Sequence, residues 1–458
     1  SVKSRGLGDV YKRQRLDRVK DMVIQNKERI TEALNTDFGA RSPNQSLISD
    51  VYGVLPAFSH AKKHLKSWMK DEKRKSNFPF GFMGAKSYIH REPLGVVGMI
   101  SPWNFPMYLS LAPLAGIFSA GNQVMHKPSE FTPITSELLK EICDSAFDET
   151  EFATFLGGPE VGAAFTQLKF DHLLFTGSGN IGKHVMRAAS ENLVPLTLEL
   201  GGKSPVIVSD SSNIDITARR VMFNKTLNAG QICLAPDYVY VHETEKDNFV
   251  EACKDQVNEF YSDLKYNPDY TSVINEKHYD RLNGLLSDAK DHGAEVVEIN
   301  PANEDFSQQE SHKIPPTLVL NPTDEMQIMK EEIFGPLLPI KTYKDINEPI
   351  NYINKNDKPL GLYYFGNNKN EEAKVINSTT SGGVTVNDIM GHIQQNELGF
   401  GGVGPSGMGK YDGYDGFTNF SNNKPIYKQI GFGLDKLLDA IRPPYKGSIE
   451  DVLKKLLK

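Results

Sequence analysis

Cysteine is scarce in this chain: Cys143, Cys233 and Cys253 are the only three in 458 residues. None has a neighbour at a metal-site spacing such as C-x-x-C, and an odd number makes a poor disulfide framework. No metal centre is therefore expected, and a reducing, cytoplasmic compartment fits. No run of eighteen apolar residues occurs, so no transmembrane helix is expected. Blocks of like charge are missing too: 51 Lys and Arg against 58 Asp and Glu leave a formal charge of −7, spread along the chain. A phosphate backbone calls for a concentrated basic surface, so nucleic acid is not the expected partner. No internal repeat is visible. With 39% apolar and 24% charged residues, what remains is a globular chain long enough for two or three domains.

The two ends stand apart. Asp9 to Gln14 can be written in codons as GAT GTG TAT AAG AGA CAG, a string that reads like the end of a transposase-based sequencing adapter. Ser1 to about Gln14 is therefore expected to be adapter-derived, with the native N-terminus and any targeting signal lying outside this sequence. The C-terminal "LLDAIRPPYKGSIEDVLKKLLK" is amphipathic and basic. Interrupted by Pro443 and Pro444, it is expected to pack on the protein's own surface rather than on a membrane.

Between them, Arg15 to about Asp71 carries apolar residues at helical spacing. "SYIHREPLGVVGMIS" reads as strand, turn and buried strand. Strand and helix patterns then alternate through "GNQVMHKPSE", "TPITSELLKEICDSAF", "FDHLLFTGS", "NIGKHVMRAAS" and "PLTLELGG". Regular alternation implies parallel sheet with crossover helices, an α/β fold. A second α/β series runs from about Ser204 to Val386, and Gly399 to Phe417 is a glycine-dense loop.

Several short stretches could carry chemistry, and each has a structural alternative. In "FTGSGNIG", Gly177, Gly179 and Gly182 fit a phosphate-binding turn between strand and helix, or an ordinary tight turn. A simple continuation would make Glu199, 17 residues past Gly182, the ribose carboxylate. In "TLELGGKSP", Glu199 among apolar residues could have the raised pKa of a general base, or be salt-bridged. In "SPWNFP", Pro102 and Pro106 fence Asn104 into a rigid turn able to present an amide to an oxyanion, or one that satisfies only its own backbone. Glu332 and Phe334 of "KEEIFGP" could hold a ribose and a flat ring. Cys233 in "LNAGQICLAPDYV" is either a nucleophile or a small core filler.

Together, "SPWNFP", "HKPSE", "FTGSGNIG", "LELGGKSP", "GQICLAPDYV", "EEIFGP" and "FGGVGPSGMGKYDGYDGF" occur in the order of the NAD(P)-dependent aldehyde dehydrogenase superfamily. The 34-residue interval from Glu199 to Cys233 is characteristic, and the resemblance covers nearly everything after Arg15. The tyrosine after "APD" and the "RPPY" tail most resemble the class 3 and coniferyl-aldehyde branch.

The resemblance implies an aldehyde dehydrogenase-like fold: a Rossmann-type cofactor domain (1–86 and 97–198), a second α/β catalytic domain (199–405), and a small β oligomerisation element with C-terminal bridging segments (87–96 and 406–458). It makes Cys233 the nucleophile, with Asn104 and the Cys233 amide as oxyanion donors. Glu199 becomes the base that activates water, which removes it from the ribose. Lys127 and Glu130 fall at the adenine ribose, Gly177 and Ser178 at the pyrophosphate, and Glu332 and Phe334 at the nicotinamide ribose and ring. Ser101 and Trp103 line the same floor. Gly179 and Gly182 then only shape the turn, and Cys143 and Cys253 are structural. Glu130 favours NAD, although Lys127 leaves NADP open. The expected substrate is an aromatic, coniferyl-like aldehyde or a medium-to-long aliphatic one, with Tyr108, His392 and Ile393 at the mouth. The expected assembly is a homodimer or tetramer. Three rival readings are a coenzyme A-acylating relative, a non-catalytic protein on the same fold, and an interaction module built on the glycine loop.

Overall fold

The computed structural model describes residues 8–78 and 80–429, with isolated positions 442–443, 450–451 and 454 beyond them. Nearly all of the basic C-terminal segment lies outside the described residues. Of the adapter-like stretch, Asp9–Gln14 opens the helix Asp9–Gln25, where the Lys12 ammonium donates to the carbonyls of Ser119 and Ala120 at 2.9 and 3.1 Å.

The strands in the first half of the chain are β1 (Glu72–Arg74), β2 (Lys86–Pro93), β3 (Val96–Ile100), β4 (Gln123–Lys127), β5 (Phe152–Thr154), β6 (His172–Thr176), β7 (Leu196–Glu199) and β8 (Pro205–Val208). Those in the second half are β9 (Tyr238–His242), β10 (Glu295–Glu298), β11 (Thr317–Leu320), β12 (Leu337–Tyr343), β13 (Gly361–Phe365), β14 (Gly383–Val386), β15 (Gly407–Met408) and β16 (Ser421–Lys428). Strands such as "HLLFT" and "GLYYF" are buried along their whole length, as strands covered by helices on both faces must be.

The first large sheet has the order β5-β4-β3-β6-β7-β15, parallel except for β15. The chain runs outward from β3 to β5, then returns to lay β6 on the other side of β3. Strand order therefore reverses between β3 and β6, and a crevice opens at their carboxyl ends. "SPWNFP" follows β3, "HKPSE" ends β4, "GSGNIG" follows β6 and Glu199 ends β7, so four motifs share one edge.

The second sheet has the order β10-β11-β12-β9-β8-β13-β14, parallel except for β10. Here the Cys233 loop precedes β9 and "EEIFGP" precedes β12, so these motifs lie at amino ends of strands. Because β7 leads through residues 200–204 directly into β8, the carboxyl edge of one sheet faces the amino edge of the other. A single apolar cluster, including Leu16, Val97, Leu174, Val208, Val239 and Leu338, runs through both units and fixes that facing. The third sheet, β1-β2-β16, is small and antiparallel, with β2 and β16 paired from Pro93–Ser421 to Lys86–Lys428.

Candidate active site

The helix Ile214–Thr226 ends in Asn228, Ala229 and Gly230, all with positive φ (51°, 51° and 70°). This left-handed run turns the chain sharply into the Cys233 loop. Gly230 is required twice over: its φ is positive, and a Cβ there would lie 2.3 Å from the Gly335 carbonyl oxygen. Gln231 braces the turn from inside. Its amide donates to the carbonyls of Asn228 and Ser272 at 2.9 and 3.0 Å, and its side-chain oxygen accepts from the Ile274 amide at 3.0 Å. Cys233 emerges partly exposed, whereas Cys143 and Cys253 are wholly buried. Burial raises the Cys233 thiol pKa, and the carboxylates of Glu332 and Glu199 raise it further; the amides of Cys233 and Leu234 oppose this.

Asn104 reaches the same loop from the other unit. Its amide donates to the Gln231 carbonyl at 3.1 Å. Its own carbonyl accepts from the Arg41 guanidinium at 2.8 Å and the Asn228 amide at 3.0 Å. Arg41 pairs with Asp50 at 2.6 Å, both side chains fully buried, and Asp50 accepts from the backbone amides of Met107 and Tyr108 at 3.1 and 3.2 Å. A buried ion pair thus clamps the turn at Asn104 itself and at the start of the helix that follows it. Arg41 and Asp50 went unnoticed in the sequence because they sit in a stretch that reads only as amphipathic helix.

Glu199, at the end of β7, is 2% exposed, and neither carboxylate oxygen makes a hydrogen bond. Such a group is desolvated without compensation, so burial raises its pKa well above the usual carboxylate range; Asp412 adds to this and Lys410 opposes it. The glycine-dense loop closes over it. Phe400 and Tyr411 exchange backbone hydrogen bonds at 2.7 and 2.9 Å, and a Cβ at Gly401 would lie 3.1 Å from the Glu199 carboxylate. The Tyr411 hydroxyl is buried without a partner, and burial holds Asp412 up at about 7. Lys410, Tyr411 and Asp412 had no signal beyond the density of glycine around them.

The remaining expected residues line the crevice with different degrees of engagement. Lys127 ends β4 and pairs with Glu130 at 2.7 Å. Gly177 donates its amide to the Glu199 carbonyl at 3.0 Å, and Ser178 caps the helix Gly179–Ser190 by accepting from the Ile181 amide at 3.5 Å. That helix start faces the point where strand order reverses, a favourable place for phosphate. A Cβ at Gly182 would fall 2.8 Å from Leu200, so this glycine serves helix-to-strand packing. The Ser101 hydroxyl is turned inward, 2.7 Å from both Ser110 and His126.

Glu332 fits over Gly201, where a Cβ would come within 2.0 Å of its carboxylate. One of its oxygens is buried without a hydrogen bond, and burial beside Asp237 lifts its pKa to about 8. Phe334, at φ 48°, meets Trp103 edge-on with ring centres 5.4 Å apart. These features suit a dinucleotide: a helix start for phosphate, an acid and a base at the end of the second strand for ribose, a carboxyl with one unpaired oxygen for a second ribose, and aromatic walls. Of the residues expected at the mouth, Tyr108 and Ile393 are half-buried against the core. His392 bonds Thr385 at 2.8 Å, stacks near Phe400, and is held down at about 4 by burial, which is how a structural histidine behaves.

Comparison with known proteins agrees with this geometry. The model of the aldehyde dehydrogenase family matches residues 9–426. A probable coniferyl aldehyde dehydrogenase of Caulobacter vibrioides is 53% identical over 441 residues, spanning 96% of this chain and 91% of that protein. The coniferyl aldehyde dehydrogenase of Pseudomonas sp. (strain HR199) is 50% identical over 443 residues, spanning 97% and 91%. Among solved structures, the substrate-bound state of Staphylococcus aureus AldH superposes with a TM-score of 0.90 at 37% identity, covering 99% of this chain and 96% of that one.

Proposed function

The chain belongs to the aldehyde dehydrogenase family, and from that premise we propose that it oxidises an aldehyde to the carboxylic acid, with NAD as acceptor and Cys233 as nucleophile. The observation that carries the mechanism is the meeting, in one cleft, of a partly exposed cysteine, a clamped asparagine amide and an unpaired buried carboxyl.

The Cys233 thiolate adds to the aldehyde carbon and gives a tetrahedral thiohemiacetal. Its oxyanion is met by the Asn104 amide, which exchanges the Gln231 carbonyl for substrate, and by the Cys233 backbone N–H. One such donor is worth about 3 kcal/mol in the transition state. NAD, when bound, supplies the acceptor for the hydride that leaves this carbon; Lys127, Glu130, Gly177, Ser178, Glu332 and Phe334 would hold it. The enzyme is left with a thioester on Cys233. Glu199 takes a proton from water, the resulting hydroxide attacks the thioester carbon, and the acid departs as the thiolate is released. The pairing of Lys127 with Glu130 leaves little free positive charge for an added ribose phosphate, which supports NAD over NADP. Relatives named for coniferyl aldehyde, together with the half-buried Tyr108 and Ile393, support an aromatic aldehyde.

Glu199 also argues for water rather than coenzyme A as acyl acceptor. Cys233→Ala is expected to abolish oxidation while NAD binding, followed by fluorescence quenching, stays near wild type. Glu199→Gln is expected to release about one NADH per site in a burst and then stall. An unchanged steady-state rate in either variant, or turnover that requires coenzyme A and yields acyl-coenzyme A, would overturn the assignment.

A further inference from the structure

Away from the cleft, the helix Leu55–Trp68 carries His60 and His64 one turn apart on the same face. Their rings lie 4.5 Å apart between centres, and Trp68 stacks beside His64 at 6.1 Å and 21°, which limits how either ring can turn. The loop 391–399 brings Glu397 to the pair from a distant part of the sequence. One donor atom from each of the three residues lies within 4.8 Å of the other two.

The contact between His60 and Glu397 is not a settled one. The His60 Nε2 is shielded from solvent and makes no hydrogen bond, yet a Glu397 carboxylate oxygen lies 3.2 Å from it. A metal ion seated between this nitrogen and the carboxylate would give both a partner. The neutral imidazole is the form that binds a metal ion.

We propose that His60, His64 and Glu397 form a binding site for a borderline divalent metal ion of the zinc class. Two imidazole nitrogens and one carboxylate oxygen are a donor set such ions take at about 2.0–2.2 Å, with water completing the shell. The Glu397 side chain is 74% exposed, so it is free to swing inward to the distance coordination needs, and ions reach the site from solvent. The glycine-dense loop that closes over Glu199 follows directly after Glu397, so a bound ion ties that loop's approach to the helix Leu55–Trp68. The cysteine spacing gave no sign of this site; the histidine spacing carries it.

The test uses the full chain with Cys233→Ser, which removes the one accessible thiol, and titrates Zn2+ in competition with a chromophoric chelator. One Zn2+ per chain is expected, with the affinity falling at least tenfold in H64Q and in E397Q and the site lost in H60Q/H64Q. The melting temperature should rise with Zn2+ in the parent and not in these variants. E397Q alters an exposed side chain, so it reports on coordination even if a histidine variant folds poorly. Stoichiometric Zn2+ retained by H60Q/H64Q, undiminished affinity in E397Q, or no Zn2+ held by the parent would each overturn the site.

Discussion

At the scale of single residues, burial in the proposed catalytic cleft raises the pKa of its acids Glu199, Glu332 and Asp412. Glu199 must lose a proton to act as base, and its pKa is raised first by burial and then by the negative charge of Asp412. Deacylation should therefore rise with pH along a limb displaced upward from an ordinary carboxylate. Asp412 itself ionises near 7, so above that pH it repels the charged form of Glu199. Asp412→Asn removes the repulsion, lowers the Glu199 pKa and moves the acid limb of steady-state kcat to lower pH. The Cys233 thiol is also raised, by burial first and then by Glu332 and Glu199 rather than Asp412, so the pH profile of the NADH burst should move little. Stopped-flow and steady-state profiles measured on the same samples separate the two. A deacylation limb that stays in place, or shifts upward, contradicts the coupling.

At the scale of elements, what matters is how loops from different strands hold one another. The Gly399–Phe417 loop shows it well: a Cβ at Gly401 would meet the Gly409 carbonyl at 2.2 Å and the Glu199 carboxylate at 3.1 Å. Gly401→Ala should displace the base while leaving Cys233 in place. The expected result is a burst near one NADH per site, with kcat at least tenfold lower; equal loss of both phases would mean general damage instead. The Arg41–Asp50 pair makes a stability claim. Removing one partner of a fully buried ion pair strands the other, at a cost of about 3–5 kcal/mol. Asp50→Ala also frees the Met107 and Tyr108 amides. A fall in the urea midpoint worth less than about 1 kcal/mol would show that water replaces the carboxylate easily.

These elements also mark what the sequence could and could not disclose. Cys233, Glu199 and Asn104 were legible because each lies in a short, chemically distinctive string, and the alternation of strand and helix announced parallel sheets. The reversal of strand order between β3 and β6 was not legible, although it explains why the glycine turn follows the fourth strand of the unit and the ribose acid the second. Arg41 and Asp50 act through pairing across 63 and 57 residues to the Asn104 turn, and no local pattern records such a contact. Tyr411 and Asp412 gain their character from desolvation, which exists only after the loop has folded over Glu199.

At the scale of the whole molecule, every residue assigned to the cleft comes from one chain, whereas the small sheet carries surface that the described residues do not cover. Within the described residues, β16 is the outer strand of β1-β2-β16, and an eight-residue edge invites pairing with another strand. Phe78 and Phe82, in the connection between β1 and β2, and Tyr427, on β16, are 80%, 89% and 52% exposed. Large exposed apolar side chains on one small sheet and its connection suit an interface, and a two-fold axis would set that sheet against its own copy. We therefore expect light scattering to give twice the 51.1 kDa chain mass at micromolar concentration. Phe82→Asp combined with Tyr427→Asp should shift the protein toward monomer. Because the residues assigned to the cleft all lie in one chain, kcat per chain should change by less than about twofold while the concentration needed for dimerisation rises. A wild-type monomer, or a double variant that dimerises as before, would place the interface elsewhere on the molecule.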